Sequence, residues 1–65
     1  MSYRMDVTYD GAVDESHHYD DLPAAENALM HTLQGLDNGG PWRVDIYNEN
    51  VEPPELVERV EGDVL

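Results

Sequence analysis

Residues 17–40 read HHYDDLPAAENALMHTLQGLDNGG, and this stretch decides the fold because it contains a complete helix signal. Its apolar side chains recur at intervals of three and four residues, which places them along one side of a helix. This apolar stripe comprises Leu22, Ala25, Leu29, Leu33 and Leu36. Glu26 is the one acidic side chain in residues 22–36, so the exposed side of the predicted helix is nearly neutral.

The ends of this helix are also marked in the sequence. Asp20 and Asp21 are suitable N-caps, because a carboxylate accepts hydrogen bonds from the unpaired amides of the first turn. Pro23 falls in the first turn, where a missing amide hydrogen is tolerated. Gly39 and Gly40 then supply a stop signal.

Two segments that flank the helix alternate between apolar and polar side chains, as half-buried strands do. They are residues 3–9, YRMDVTY, and residues 42–48, WRVDIYN. Asp10-Gly11 favours a tight turn, so residues 12–19 are predicted to complete a β-hairpin with the first strand. The helix stripe is expected to pack on the inward side chains of the two alternating segments, which are Tyr3, Met5, Val7, Tyr9, Trp42, Val44 and Ile46.

The end of the chain admits two interpretations. Pro54 can open a short helix in which Glu55 and Arg59 pair at i,i+4 spacing and Gly62 marks the end. Alternatively, residues 55–61, ELVERVE, form a fourth strand. We favour the helix, because the alternation of apolar and polar residues is poor. The prediction is one α+β domain of 65 residues, with an antiparallel sheet of three to four strands packed against one helix.

The charge balance is the most unusual property of the composition. Three arginines and no lysine stand against fifteen Asp and Glu residues, which gives a net charge of −12. Such a surface repels nucleic acid and anionic membranes, and it attracts basic proteins. The chain has no cysteine, no apolar run long enough for a membrane span and no apolar block at its start. We therefore expect a soluble, intracellular protein.

The acids are unevenly distributed along the chain. Six lie between residues 6 and 21, seven lie from residue 45 onward, and Asp37 follows the helix. The strand pattern predicts that the sheet face opposite the helix, its loops and the chain end carry most of this charge. Tyr47 points the same way by pattern and is a candidate exposed aromatic. The predicted partner-binding residues are Asp6, Asp10, Asp14, Glu15, Asp20, Asp21, Asp45, Tyr47 and Glu49.

A neutral helix beside an acidic sheet favours a functional role for the acids. Adaptation to molar salt, where charges are screened within about 3 Å, is expected to coat every exposed face. Rows of carboxylates can instead bind the arginines and lysines that normally hold phosphates. We therefore predict a non-enzymatic protein that blocks a basic nucleic-acid-binding surface of a partner. The alternatives are a halophilic-type accessory protein whose acids serve solvation, and an antitoxin-like partner of a basic toxin.

In size, acidity, lack of lysine and α+β layout, the chain resembles the small anti-CRISPR proteins of phages that act as DNA mimics. The resemblance covers the whole chain as composition and layout, and no sequence motif carries it. It implies an inhibitor that occupies the DNA-binding or PAM-reading surface of a CRISPR effector, in the cytoplasm of a bacterial or archaeal host. No cofactor and no direct nucleic-acid binding are expected.

Metal binding and catalysis are not favoured by the sequence. His17 and His18 are adjacent on a predicted strand, so their side chains point to opposite faces and do not readily share one ion. A domain of this size has little room for a pocket that separates the pKa values of two carboxylates. Met30 and His31, on the neutral side of the helix, are candidate contacts for a homodimer.

Overall fold

The described part of the chain folds as a four-stranded antiparallel sheet with a helix across it, which confirms the predicted α+β class. The computed structural model describes residues 2–35 and 41–62. The elements are β1 (Tyr3–Tyr9), β2 (Ala12–Tyr19), α1 (Leu22–Gly35), β3 (Trp42–Asn48) and β4 (Glu55–Gly62). The predicted helix end at Leu36, the stop signal at Gly39 and Gly40, and the acids Asp37 and Asp63 lie outside the described residues.

The strand order in the sheet is β2-β1-β3-β4, and every neighbouring pair is antiparallel. Strands β1 and β3 therefore form the centre of the sheet, and β2 and β4 form its edges. Because Met5 pairs with Ile46 and Val7 pairs with Val44, the apolar side chains of the central strands share one face. Helix α1 lies on that face, and the opposite face, without a helix, is called the open face below.

The hydrophobic core lies between the helix and the two central strands, as the alternating patterns predict. Its buried side chains are Met5, Val7, Ala25, Leu29, Val44 and Ile46. Partly buried side chains complete it at the margins, and they are Tyr3, Tyr9, Tyr19, Leu22, Ala28, Leu33, Trp42 and Val60. A domain of this size buries only about 60% of the surface of its unfolded chain, so this core leaves the fold marginally stable.

The β1–β2 hairpin and the start of the helix form as the local sequence predicts. Asp10 and Gly11 have φ angles of +56° and +83°, the left-handed pair that a two-residue type I′ turn requires. Tyr9 and Ala12 close this turn as the last pair of the ladder. At the helix start, the Asp21 carboxylate accepts a 2.9 Å hydrogen bond from the amide of Ala24, so Asp21 is the N-cap.

The preference for a C-terminal helix was wrong, because β4 is a strand. The register between β3 and β4 shifts between Ile46 and Tyr47, since Ile46 pairs with Glu58 and Tyr47 pairs with Leu56. Val57 is therefore an extra residue, a β-bulge. A bulge interrupts the period of two, which explains why the alternation of this strand is poor in the sequence. The Glu55–Arg59 spacing that suggested a helix instead spans the bulge.

No helix in residues 2–35 or 41–62 has the length and apolar character needed to cross a membrane.

Candidate partner-binding surface

The open face of the sheet carries all three arginines of the chain, which the sequence pattern did not single out. Arg4, Arg43 and Arg59 lie on β1, β3 and β4, and strand pairing sets them among the acids of that face. The face is therefore a mixture of opposite charges in the described part of the chain. The expectation that this face, its loops and the chain end carry most of the acidity left out these arginines, which offset the acids of the open face.

Asp45 is the best-partnered acid of the open face. The Nε atom of Arg43 donates a 3.0 Å hydrogen bond to one carboxylate oxygen, and the Nε atom of Arg59 donates a 2.7 Å hydrogen bond to the other. Asp45 is 1% exposed. The prediction that Asp45 is an exposed partner-binding acid is wrong, because the two guanidinium groups cover it and satisfy both oxygens. The hydrogen bond that Arg59 donates to Asp45, together with the negative charge of Asp45, raises the pKa of Arg59 above its ordinary value.

A second cluster surrounds Arg4. Its Nη1 atom donates a 2.9 Å hydrogen bond to Glu49, and its Nε atom lies 3.2 Å from an oxygen of Asp6. The guanidinium also lies over the ring of Tyr47, 4.8 Å from the ring centroid. Ser16 on β2 donates a further hydrogen bond to Asp6. Three predicted site residues, Asp6, Glu49 and Tyr47, are thus brought together, but arginine contacts already hold all three.

Strand pairing explains why these arginines are needed. Asp6 and Asp45 lie directly opposite each other on the central strands. Like charges at such a position destabilise a sheet. Arg4 next to Asp6, and Arg43 with Arg59 around Asp45, offset that repulsion. The arginines of the open face therefore have a structural role.

The remaining predicted residues lie along strand β2 and at its two ends. We call this set the β2 rim, and it consists of Asp10, Asp14, Glu15, Asp20 and Asp21. All five are exposed. None forms an ion pair with an arginine within residues 2–35 and 41–62, and the one charged contact is between Glu15 and His17, at 2.9 Å.

The β2 rim has a defined length and order. Asp10 lies in the turn before β2, and Asp20 and Asp21 follow its last residue. Asp14 is the extra residue of a second bulge, since Val7 pairs with Glu15 and Thr8 pairs with Val13. A strand of this length extends over roughly 26 Å at about 3.3 Å per residue. The rim therefore runs along one edge of the sheet, and Glu15, which pairs with Val7, points from that edge to the helix side.

Other acids lie on the opposite edge. On β4, Glu58 pairs with Ile46 and so points to the helix side, whereas Glu61 pairs with Arg43 and points to the open face. Glu52 and Glu55 are exposed at the start of this edge. The acids of β4 are thus divided between both faces of the sheet and do not form one line.

An open cleft of about 380 Å³ lies at the end of the sheet near the hairpin turn. It is lined by Thr8, Gly11, Pro41, Trp42, Arg43, Glu61 and Gly62. The described lining residues offer no histidine or second carboxylate beside Glu61. The prediction that the protein is not an enzyme remains a prediction.

Histidines and acids do not converge on a common point in the part of the chain that the structure describes: no three such side chains are grouped as metal ligands there. His17 bonds Glu15, and His18 lies 3.4 Å from Glu49 on the other face of β2. This separation agrees with the alternation expected of adjacent strand residues.

Comparisons of the chain with protein-family models, with curated proteins and with solved structures found no match.

Proposed function

We propose that the protein is a binding protein whose β2 rim occupies a basic, nucleic-acid-binding surface of a partner protein. One observation carries the proposal: the five rim acids are exposed and have no arginine partner among the described residues, while all three arginines hold acids elsewhere. A basic partner would supply the missing counter-charges through charge-assisted hydrogen bonds.

The charge density of the rim suggests which basic surface would fit. Over roughly 26 Å a DNA duplex carries about fifteen negative charges and one of its strands about eight. The rim carries five. It is therefore closer to one phosphate backbone than to a duplex, and the proposed partner surface is one that follows a single strand. CRISPR effectors, which the resemblance suggests, are one class of such partners.

Competition for the basic surface tests this function directly. A labelled strand or duplex is bound to each of a panel of CRISPR effector complexes, and the protein is added in increasing amounts. The proposal predicts that it displaces the label from at least one effector and that displacement weakens steeply as salt rises. Failure to displace the label from any effector at low salt would reject the CRISPR assignment. The broader proposal is then tested on other basic single-strand-binding proteins.

A second candidate, adaptation to molar salt, is favoured by a different observation. The acids of β4 and of the loop before it point to both faces of the sheet, and within the described residues Glu52, Glu55 and Glu58 have no ion-pair partner. Carboxylates that are scattered in this way suit solvation better than recognition. This candidate predicts that the chain needs molar salt to fold, whereas a binding protein of ordinary cytoplasm folds without it.

A further inference from the structure

Strand β4 leaves one edge of the sheet open. It is the last strand in the order β2-β1-β3-β4, so its outer backbone groups have no partner strand within residues 2–35 and 41–62. Open edges of this kind pair readily with a further strand. Beyond the bulge at Val57, residues 58–62 continue as a regular segment with consecutive pairing to β3.

We propose that residues 58–62 pair with the same segment of a second copy of this chain, antiparallel and about a two-fold axis at Val60. In this register Val60 of one copy lies opposite Val60 of the other. Arg59 of each copy lies opposite Glu61 of the other, and Glu58 lies opposite Gly62. The result is one continuous eight-stranded sheet across the dimer. The inference does not rest on the proposed function, since it concerns the opposite edge of the molecule.

The charges of the open face favour this partner. Arg59 and Glu61 both point to the open face, since they pair with Asp45 and Arg43 on β3. Glu61 forms no ion pair with another described residue, because the Nε atom of Arg43 is directed to Asp45 instead. Arg59 uses its Nε atom for Asp45, and a guanidinium has two further nitrogens that donate hydrogen bonds. Each copy therefore offers the arginine that the other copy's Glu61 lacks.

The two neighbouring registers of the same strands are disfavoured by charge. Residues directly opposite in an antiparallel pair share a face, so a two-fold axis must pass through a residue. A two-fold axis at Glu58 sets Glu58 of one copy opposite Glu58 of the other, and it brings Glu55 of each copy towards Glu61 of the other. A two-fold axis at Arg59 sets the guanidinium groups of the two copies opposite each other. Like charges at such positions are destabilising, whereas the axis at Val60 gives two opposite-charge pairs.

The other open edge does not offer the same complementarity, because β2 contains no arginine that could lie opposite a carboxylate of a second copy. The regular part of β2 is residues 15–19, and a two-fold axis at its centre, His17, brings Asp14 towards Asp20 on both sides. Each copy would then face like charges twice. Self-association is therefore assigned to β4 and leaves the β2 rim exposed on both copies.

Sedimentation equilibrium of the full chain tests the dimer. In about 0.15 M salt the Debye length is about 8 Å, which screens much of the long-range repulsion between two acidic copies. The proposal predicts a monomer–dimer equilibrium that Glu61→Arg weakens about tenfold or more, because arginines then lie opposite each other. Glu55→Arg makes the same change of charge on the same strand outside residues 58–62, and it is expected to leave the equilibrium within about twofold. A wild-type chain that stays monomeric, or equal weakening by both variants, would overturn the proposal.

Disulfide trapping tests the register independently. The chain has no cysteine, so single-cysteine variants report one position each. Val60→Cys places two thiols opposite each other, with Cβ atoms about 4.5–5.5 Å apart and close to the range of a disulfide. Glu58→Cys places them four residues apart along the strands, roughly 13 Å. Under mild oxidation, Val60→Cys is expected to form the interchain disulfide much faster than Glu58→Cys. Equal rates would exclude this register, and circular dichroism confirms that each variant is folded.

Discussion

The Nε atom of Arg59 donates a 2.7 Å hydrogen bond to Oδ1 of Asp45, and this contact ties edge strand β4 to central strand β3. Arg43 completes the arrangement from the same strand as Asp45, with a 3.0 Å hydrogen bond to Oδ2. A carboxylate at the centre of the open face is thereby buried without an unpaired charge. Arg43 and Arg59 pair with Asp45, and Arg4 pairs with Asp6 and Glu49. The acids of the β2 rim therefore have no arginine partner among the described residues.

Removing the carboxylate of Asp45 is expected to destabilise the fold. Asp45→Ala eliminates two charge-assisted hydrogen bonds and leaves Arg43 and Arg59 without their partner. Both arginines are about 40% exposed, so water compensates in part. We expect the free energy of unfolding to fall by about 2 kcal/mol, measured by urea denaturation. The exposed Asp14→Ala serves as the control and is expected to change stability by less than about 0.5 kcal/mol. Equal effects of the two changes would contradict the structural role of Asp45.

Two glycines, Gly11 in the hairpin turn and Gly35 in the last turn of α1, are expected to respond to alanine with opposite signs. Gly11 has a φ of +83°, a conformation that side chains rarely adopt, so Gly11→Ala is expected to cost about 1 kcal/mol of stability. Gly35 lies in the last turn of α1 without such a φ angle, and no atom of residues 2–35 or 41–62 lies within 4 Å of the position that a methyl group would take. Gly35→Ala is expected to be neutral or stabilising by up to about 1 kcal/mol, because it restricts the unfolded chain. Thermal unfolding of both variants checks this, and destabilisation by Gly35→Ala would count against the described helix end.

A side chain at Gly62 is expected to lower the stability of the protein, because the indole of Trp42 lies directly over this glycine. A methyl group placed on Gly62 would lie 2.2 Å from two ring carbons of Trp42. Gly62→Ala must therefore displace the ring, at a cost of about 1–3 kcal/mol. Trp42 is the one tryptophan of the chain, so its fluorescence reports the displacement without interference. An unchanged emission spectrum with unchanged stability would show that Trp42 does not lie over Gly62.

Neutralising the middle of the β2 rim is expected to impair partner binding and to leave the fold intact. The double variant Asp14→Asn/Glu15→Gln removes two exposed charges that no arginine contacts. The loss of two charge-assisted contacts is expected to weaken displacement of nucleic acid from the partner at least about tenfold.

A matched variant separates recognition at the rim from the general effect of charge. Glu52→Gln/Glu55→Gln removes two exposed charges at the opposite edge of the sheet. It is expected to weaken displacement less than about threefold, through the net charge alone. If both double variants weaken displacement equally, the rim has no specific role.

The central part of the fold is readable from the sequence because there the local signals agree with each other. The apolar stripe of α1, the alternation in β1 and β3 and the Asp10-Gly11 turn all lead to the same packing. The edge strands were harder to recognise. Each contains a bulge, at Asp14 and at Val57, and one extra residue shifts all following side chains to the other face. The alternation within one strand does not reveal such a shift, because the extra residue is recognised only from its pairing with the neighbouring strand.

The pairing of the acids could not be read from the sequence for a related reason. The outward position of Asp45 was correctly predicted from alternation, but its burial depends on Arg59, fourteen residues away on a strand that looked like a helix. Asp6 and Glu49 likewise lose their exposure to Arg4. The rim acids follow local structure, either β2 itself or the turns at its ends, and these were the residues for which exposure was predicted correctly.

Thermal unfolding of the wild-type chain, followed by circular dichroism at about 0.1 M and about 3 M KCl, tests most directly whether the exposed acids serve recognition or solvation. We expect a cooperative transition already at the lower salt concentration, because the three arginines offset the repulsion among Asp6, Asp45 and Glu49 on the open face. A chain that is unfolded at the lower concentration and folds only at the higher one would contradict the account and assign the acids of the β2 rim to salt adaptation.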